Sequence, residues 1–264
     1  MTLKKRVLLE AIETSMFLLP ELPGMVEKLS IPGIQGRIID GSDPFVSIVG
    51  AARLTPQNAE AVIRQVYDLF AGQQKAFGWV ISSSSTPLGL EERLAKVGMV
   101  KAEELAGMAL TDLQTPIPTN PHVSIRQATP DDLEQASSLL APAIGFTPEG
   151  ARATTEALLV GHSEGLGRVY LAYLQGVDQP VGYAASIMLP HLPIVVLYCA
   201  GTLEPYRGQG IYTSLVARRL SDAYQDGARA AVIQAVRTTS APICQKLGFV
   251  EQLSMAWYIW EPED

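Results

Sequence analysis

The stretch from Ile194 to Leu203 holds no charged residue, is rich in β-branched and aromatic side chains, and runs straight into Glu204-Pro205-Tyr206-Arg207-Gly208-Gln209-Gly210. A run of that length and composition suits a strand buried on both faces. Beyond Gly210, residues Ile211, Leu215, Leu220 and Tyr224 recur near helical spacing with Arg218, Arg219 and Asp222 on the other side, predicting a helix to about Gly227. A buried strand, a tight glycine loop and a helix start expose several backbone N–H groups at the positive end of a helix dipole, where anions bind. Gly208 and Gly210 carry no side chain to block a diphosphate, and Arg207 can add a charge-assisted contact. Two familiar phosphate motifs do not fit. A P-loop needs Gly-Lys-Ser/Thr where Gly210 is followed by Ile211, and the Rossmann fingerprint needs a third glycine where Thr213 stands.

Around this unit the pattern predicts the order βααβββαβαβ. Val123 to Gln127 reads as a short strand. Thr129-Pro130-Asp131-Asp132 and Thr147-Pro148-Glu149 both read as capped helix starts, with a hydroxyl before a proline and early acids, and their helices run to about Leu140 and Val160. Arg168 to Leu174 and Pro180 to Met188 read as a hairpin. Ala230 to Val236 reads as a buried strand, Ser240 to Lys246 as a short helix and Met255 to Trp260 as a closing strand, with a possible extra strand at Phe249.

Pro205-Tyr206-Arg207-Gly208-Gln209-Gly210-Ile211 resembles the acetyl-CoA pyrophosphate loop of the Gcn5-related N-acetyltransferase (GNAT) superfamily, and Lys246-Leu247-Gly248-Phe249 resembles its Leu-Gly-Phe signature. A helix, a strand and a short helix lie between them, as that fold requires. The resemblance covers about Val123 to Trp260. It implies an α/β fold with a mixed, mostly antiparallel sheet flanked by helices, and acetyl-CoA as acyl donor without a metal. Residues Arg207, Gly208, Gln209, Gly210, Ile211 and Tyr212 would wrap the diphosphate, and Gly201, Thr202 and Leu203 would pair with pantetheine. A backbone N–H there would polarise the thioester carbonyl, and a neutral amine would attack directly.

The match departs in places. Tyr212 stands where the family has Gly or Ala, and Glu204 and Pro205 look transposed. Cys244 occupies the position, four residues before Gly248, where the family often has a tyrosine that protonates the departing thiolate. Cys244 is therefore a candidate acid, with buried packing as the other reading; Tyr198 and Tyr212 are alternatives. Glu204 is the carboxylate nearest the loop, and the general base is left unassigned.

The preceding 115 residues echo the pattern faintly. Phe77 to Ile81 reads as a strand and Leu90 to Val97 as a helix before Gly98-Met99. Arg53-Leu54-Thr55-Pro56-Gln57-Asn58-Ala59 leads into a helix to Phe70 where the glycine loop would be, without any glycine. This predicts a tandem chain: a degenerate GNAT-like domain over 1–115, a proline-rich linker over 116–121 with three prolines, and a catalytic domain over 122–264. The first half would cover an edge or shape the acceptor site; an unrelated α/β domain is the alternative.

Composition narrows the partners. Twenty Lys plus Arg against 27 Asp plus Glu give a net charge of −7 and a pI near 5.1, which disfavours nucleic acid. Two cysteines, Cys199 and Cys244, with no signal-peptide pattern point to a reducing cytoplasm. The first twenty residues read as an amphipathic helix, and the uncharged run from Val181 to Leu203 is broken by Gly182, Pro190, Pro193 and Gly201, so no membrane span is expected. Gly161-His162-Ser163-Glu164-Gly165 matches a nucleophile elbow in letters only, because a helix precedes it and a strand follows. His122, His162 and His191 lack metal-ligand spacing. Ser82 to Ser85 reads as a loop. The expected activity is transfer of acetyl from acetyl-CoA to a primary amine of a small molecule or peptide, a non-catalytic acyl-CoA sensor being the alternative.

Overall fold

A computed structural model describes residues 3–163 and 167–262. Its strands are β1 (Val26–Lys28), β2 (Gln35–Ile39), β3 (Ile48–Gly50), β4 (Phe77–Ser82), β5 (Val100–Leu110), β6 (Val123–Gln127), β7 (Gly167–Leu174), β8 (Gly182–Met188), β9 (Ile194–Thr202), β10 (Ala230–Val236) and β11 (Val250–Trp260). Its α-helices are α1 (Lys5–Thr14), α2 (Ala59–Ala71), α3 (Leu90–Ala95), α4 (Leu133–Leu140), α5 (Pro148–Ser163), α6 (Ile211–Gln225) and α7 (Ser240–Lys246).

The strands form one 11-stranded sheet in the order β1-β2-β3-β4-β11-β5-β10-β9-β8-β7-β6. Only β3–β4 and β9–β10 pair in parallel among these neighbours. The two halves are joined by a reciprocal exchange. β5, the last strand of the first half, lies between β10 and β11 of the second, while β11 lies between β5 and β4. The halves also repeat one local plan: β4, α3, Gly98 and β5 match β10, α7, Gly248 and β11, both glycines taking left-handed backbone, at φ +83° and +93°.

Alternation along β9 explains why its sequence is continuously apolar. Ile194 and Val196 face a core built with α1, α4 and α5, while Val195 and Leu197 face a second core under α6 and α7. A third cluster joins α2 and α3 to Phe77 and Trp79 of β4. The proposed extra strand at Phe249 and the closing strand are one element, β11, kinked by register shifts.

The first capped helix start forms as a 3-10 turn, Pro130–Asp132, leading into α4. Thr129 and Asp132 make a capping box, and Arg126 grips Asp132 through both guanidinium arms at 2.7 Å. The hydrogen bonds from Arg126 hold the Asp132 carboxyl far below the usual range; burial opposes them, and Thr129 adds to them. Asp132→Ala is expected to cost about 1 kcal/mol at neutral pH, since Arg126 is largely solvated. A depressed folded-state pKa contributes stability that is fully present above the unfolded value of about 3.9 and is lost as pH falls from there through the folded value. Urea titrations of the two proteins therefore converge progressively as pH falls below about 5.

Candidate active site

β9 and β10 pair only over Ile194–Val196 and Ala230–Val232. Beyond that point β9 continues along β8 to Thr202, and β10 continues along β5 to Val236, so a wedge opens in the middle of the sheet. At its edge β9 carries a bulge. Ala184 faces Ala200 and Ala185 faces Tyr198, leaving Cys199 as the extra residue at φ +24°. A bulge of this kind re-aims main-chain groups, and a positive φ on a non-glycine residue is strain held by its surroundings.

At the open end of the wedge sits the glycine loop. Gly208 and Gly210 adopt φ +76° and +73°, conformations that side chains rarely take. Among the described residues, the amides from Gly208 to Thr213 donate to no protein acceptor, and they lie together at the start of α6. Arg207 is exposed; its Nε donates to the Thr202 carbonyl at 3.1 Å, leaving its terminal donors without a protein partner among the described residues. Leu203 N–H donates back to Val181, so ladder alternation turns the Thr202 main chain outward, to the edge where Arg207 meets it. The linker braces the loop, since Asn120 Nδ2 donates to the Gln209 carbonyl at 2.7 Å and Asn120 N–H to Ser214 Oγ at 3.0 Å. Unpaired amides on left-handed glycines at a helix N-terminus fit a diphosphate.

At the closed end lies a cavity of about 240 Å³. Its walls come from both halves: Tyr198, Cys199 and Ala200 of β9, Gln234 of β10 and Tyr212 of α6 meet Arg37 of β2 and Glu103 of β5, with Phe45 and Trp257.

No protein-family model matches the chain, and no curated protein matches it. Solved structures do. A GCN5-related N-acetyltransferase from Kribbella flavida is similar over 100% of this chain and 97% of its own, at 19% identity and a TM-score of 0.66. A second GCN5-related N-acetyltransferase, from Sphaerobacter thermophilus, covers 87% of this chain and 76% of its own at 14% identity and a TM-score of 0.60. A tandem GNAT protein from the clavulanic acid biosynthesis pathway covers 88% and 79% at 15% identity and a TM-score of 0.57. The fold is that of the tandem GNAT proteins.

Within this tandem GNAT fold, Gly201 packs so close to the turn after α4 that a Cβ would lie 2.5 Å from the Ala143 carbonyl oxygen. Thr202 is buried and its Oγ1 has no partner among the described residues. Tyr198 and Tyr212 reach the cavity, whereas Cys244 is fully buried and lies behind Tyr212, with Sγ 3.7 Å from the phenol oxygen. Burial pushes the Tyr198 phenol up to about 12 against the pull of Arg37, and pushes the Tyr212 phenol up as well, past the lowering effect of Arg219. Burial also raises the Cys199 thiol to about 12, and that of Cys244. Near neutral pH all four keep their protons, so the phenols are hydrogen-bond donors and the thiols poor nucleophiles.

Sequence reasoning did not find Arg37, Glu103 or Gln234. The one local signal was Arg37 itself, a charge in an otherwise apolar run, Gly36-Arg37-Ile38-Ile39. Glu204, the carboxylate beside the loop, is exposed and does not line the cavity. Glu103 does line it, and its carboxylate has no hydrogen-bond or ion-pair partner among the described residues.

The corresponding turn of the first half is built differently. Thr55 N–H donates to Asn58 Oδ1 and Asn58 N–H to Thr55 Oγ1, so amides before α2 are satisfied internally. Arg53 pairs with the buried Glu13, which also accepts from Ser82 and Ser84. Burial pushes Glu13 up, but the hydrogen bonds from Arg53, Ser82 and Ser84 outweigh it and its pKa is lowered. The serine turn thus anchors α1.

In the Gly161-to-Gly165 segment, α5 runs to Ser163 and β7 begins at Gly167; Glu164 and Gly165 lie outside the described residues. Among the described residues no group of three His, Cys, Asp or Glu gathers as metal ligands do, and no helix is long and apolar enough to cross a membrane.

Proposed function

We propose that this chain is an N-acetyltransferase that transfers acetyl from acetyl-CoA to a primary amine, with the second half holding the donor and the first half closing the acceptor side. The observation that carries this reading is the continuity of the wedge: unpaired amides from Gly208 to Thr213 at one end, and a cavity beside the Cys199 bulge at the other.

Acetyl-CoA supplies an activated acetyl thioester. The amides of the loop and Arg207 bind its diphosphate, and the outward edge of β9 guides the chain between diphosphate and sulfur towards the bulge. The re-aimed main chain around Cys199 offers its donors where a carbonyl oxygen gains charge. In the cavity the amine nitrogen forms its bond to the acetyl carbon as the carbon–sulfur bond breaks. Glu103, on the cavity wall without an ion-pair partner among the described residues, receives the proton the amine gives up. Tyr212 donates its O–H to the departing sulfur, and the buried Arg219 guanidinium steadies the negative charge there. The protonated state of Cys199 favours direct transfer over an acyl-cysteine route.

Titration with acetyl-CoA followed by thiol release against an amine panel tests the reading: binding with turnover is expected. Binding without turnover points to an acyl-CoA sensor. Tyr212→Phe keeps the ring and removes one hydrogen bond to a charged sulfur, so kcat falls about 10- to 100-fold with acetyl-CoA affinity nearly unchanged. The same assay on Cys244→Ala separates Tyr212 from its neighbour. If Cys244 only packs behind the phenol, that variant keeps most of its rate.

A further inference from the structure

Among the described residues, the buried charge in the cavity has no ion-pair partner. Arg37 is 2% exposed, and its guanidinium donates from Nε to the Val46 carbonyl at 3.0 Å, from Nη1 to the Met16 carbonyl and from Nη2 to the Tyr198 hydroxyl at 2.7 Å. All three acceptors are neutral, and among the described residues no carboxylate forms an ion pair with it. Asp43, the buried acid soon after β2, is committed elsewhere: it accepts from the Phe45 amide at 2.8 Å and from Thr147 N–H and Oγ1 at 2.7 and 3.1 Å. An arginine cannot shed its proton to escape the cost of burial, and an uncompensated buried charge is strongly unfavourable. A guanidinium has five N–H donors, so two remain after these three contacts, on a side chain that lines the cavity.

A second unsatisfied atom lies on the same cavity wall. Gln234 donates from Nε2 to the Ile12 carbonyl at 2.6 Å and to Ser15 Oγ at 3.1 Å, which fixes the orientation of its amide. Its Oε1 is buried and has no donor among the described residues. Arg37 and Gln234 are thereby tied to neighbouring residues just after α1, and both line the cavity, one with uncommitted N–H groups and the other with a buried carbonyl oxygen that has no donor among the described residues. Aromatic walls from Phe45 and Trp257 complete it.

We infer that the acceptor is a primary amine that also carries a carboxylate, a compound of the amino-acid class, with the carboxylate held by Arg37 and an N–H by Gln234 Oε1. This specificity rests on the acetyltransferase reading for its chemistry, but the carboxylate site stands on Arg37 and the cavity alone. A net charge of −7 disfavours anions at long range; a desolvated fork at contact distance outweighs it.

The test is calorimetric titration of the whole protein with α-amino acids from glycine to tryptophan, each paired with its carboxamide, which keeps the shape and the amine but removes the charge. For at least one pair the acid is expected to bind about tenfold more tightly than the amide, a difference that Arg37→Gln erases and Arg37→Lys partly keeps. Acetyl-CoA titrated into each variant reports whether the donor site is intact. If no acid outbinds its amide on the unmodified protein, the inference is wrong whether or not the variants fold. Acetyl-CoA binding without any acid preference overturns this inference alone, whereas acid preference without acetyl-CoA binding overturns the acetyltransferase reading and leaves the carboxylate site.

Discussion

Gly208→Val and Gly210→Val in combination weaken acetyl-CoA binding about 100-fold or more while the protein stays folded. Both glycines sit at left-handed φ, and a β-branched residue there is strained by roughly 1–2 kcal/mol per position. The chain relieves that strain by leaving the conformation that aims the amides together. A Cβ at Gly208 meets none of the described residues within 4 Å, so the fold tolerates it, whereas one at Gly210 comes within 3.3 Å of Asn120 Cβ and pushes the linker brace away. Losing two or three converging amide contacts to a diphosphate accounts for a change of that size. Calorimetry with acetyl-CoA measures the affinity, and thermal unfolding without ligand checks the fold. An unchanged affinity would remove the physical basis for assigning the loop to the diphosphate.

A second large effect is expected from cutting the chain. If it is divided within 116–121 and the pieces are made separately, neither is expected to remain soluble; made together, they elute as one complex. The reason is the exchange of β5 and β11. The first piece alone leaves β4 without β11 and presents β5 with no partner on either side, and the second leaves β10 and β11 each short of β5. Open strand edges flanked by apolar faces aggregate. Gly107→Val probes the same seam within the intact chain: a Cβ there would meet Ile12 at 2.6 Å and Leu253 at 2.9 Å, one residue from each half. Overpacking of that kind costs about 1–3 kcal/mol, and it should lower a single cooperative unfolding transition rather than split it in two. Two separable transitions, or a soluble first piece, would mean that the halves hold together without the exchange.

The second half was legible in the sequence because its signals are local. β6, β10 and α7 fall on the residues that pattern and capping mark out, and the turn chemistry at Thr129-Pro130 and Thr147-Pro148 fixes the starts of two helical segments. In the first half, β1, β2 and β3 are three, five and three residues long, too short for a period to show. β5 was missed for another reason. Val100–Leu110 is rich in Ala, Glu, Leu and Met, residues that favour helix, and it is held extended by pairing with β10 and β11.

The same contrast divides the site. The glycine loop, to which the proposed function gives the diphosphate, lies in seven consecutive residues and announces itself through its glycines. Arg37, Glu103 and Gln234 are far apart along the chain and become neighbours of one cavity only because the two halves share a sheet. No local pattern encodes that meeting.

The shared sheet also sets an order of events during synthesis. The first half cannot close while it emerges from the ribosome, because the partner that lies beside β4 is not made until β11. The nascent chain must therefore carry an unpaired edge through the translation of nearly the whole second half, a period in which a holdase that shields β-edges has something to protect. Cells that limit such assistance should show this chain among their aggregates sooner than single-unit proteins of equal size.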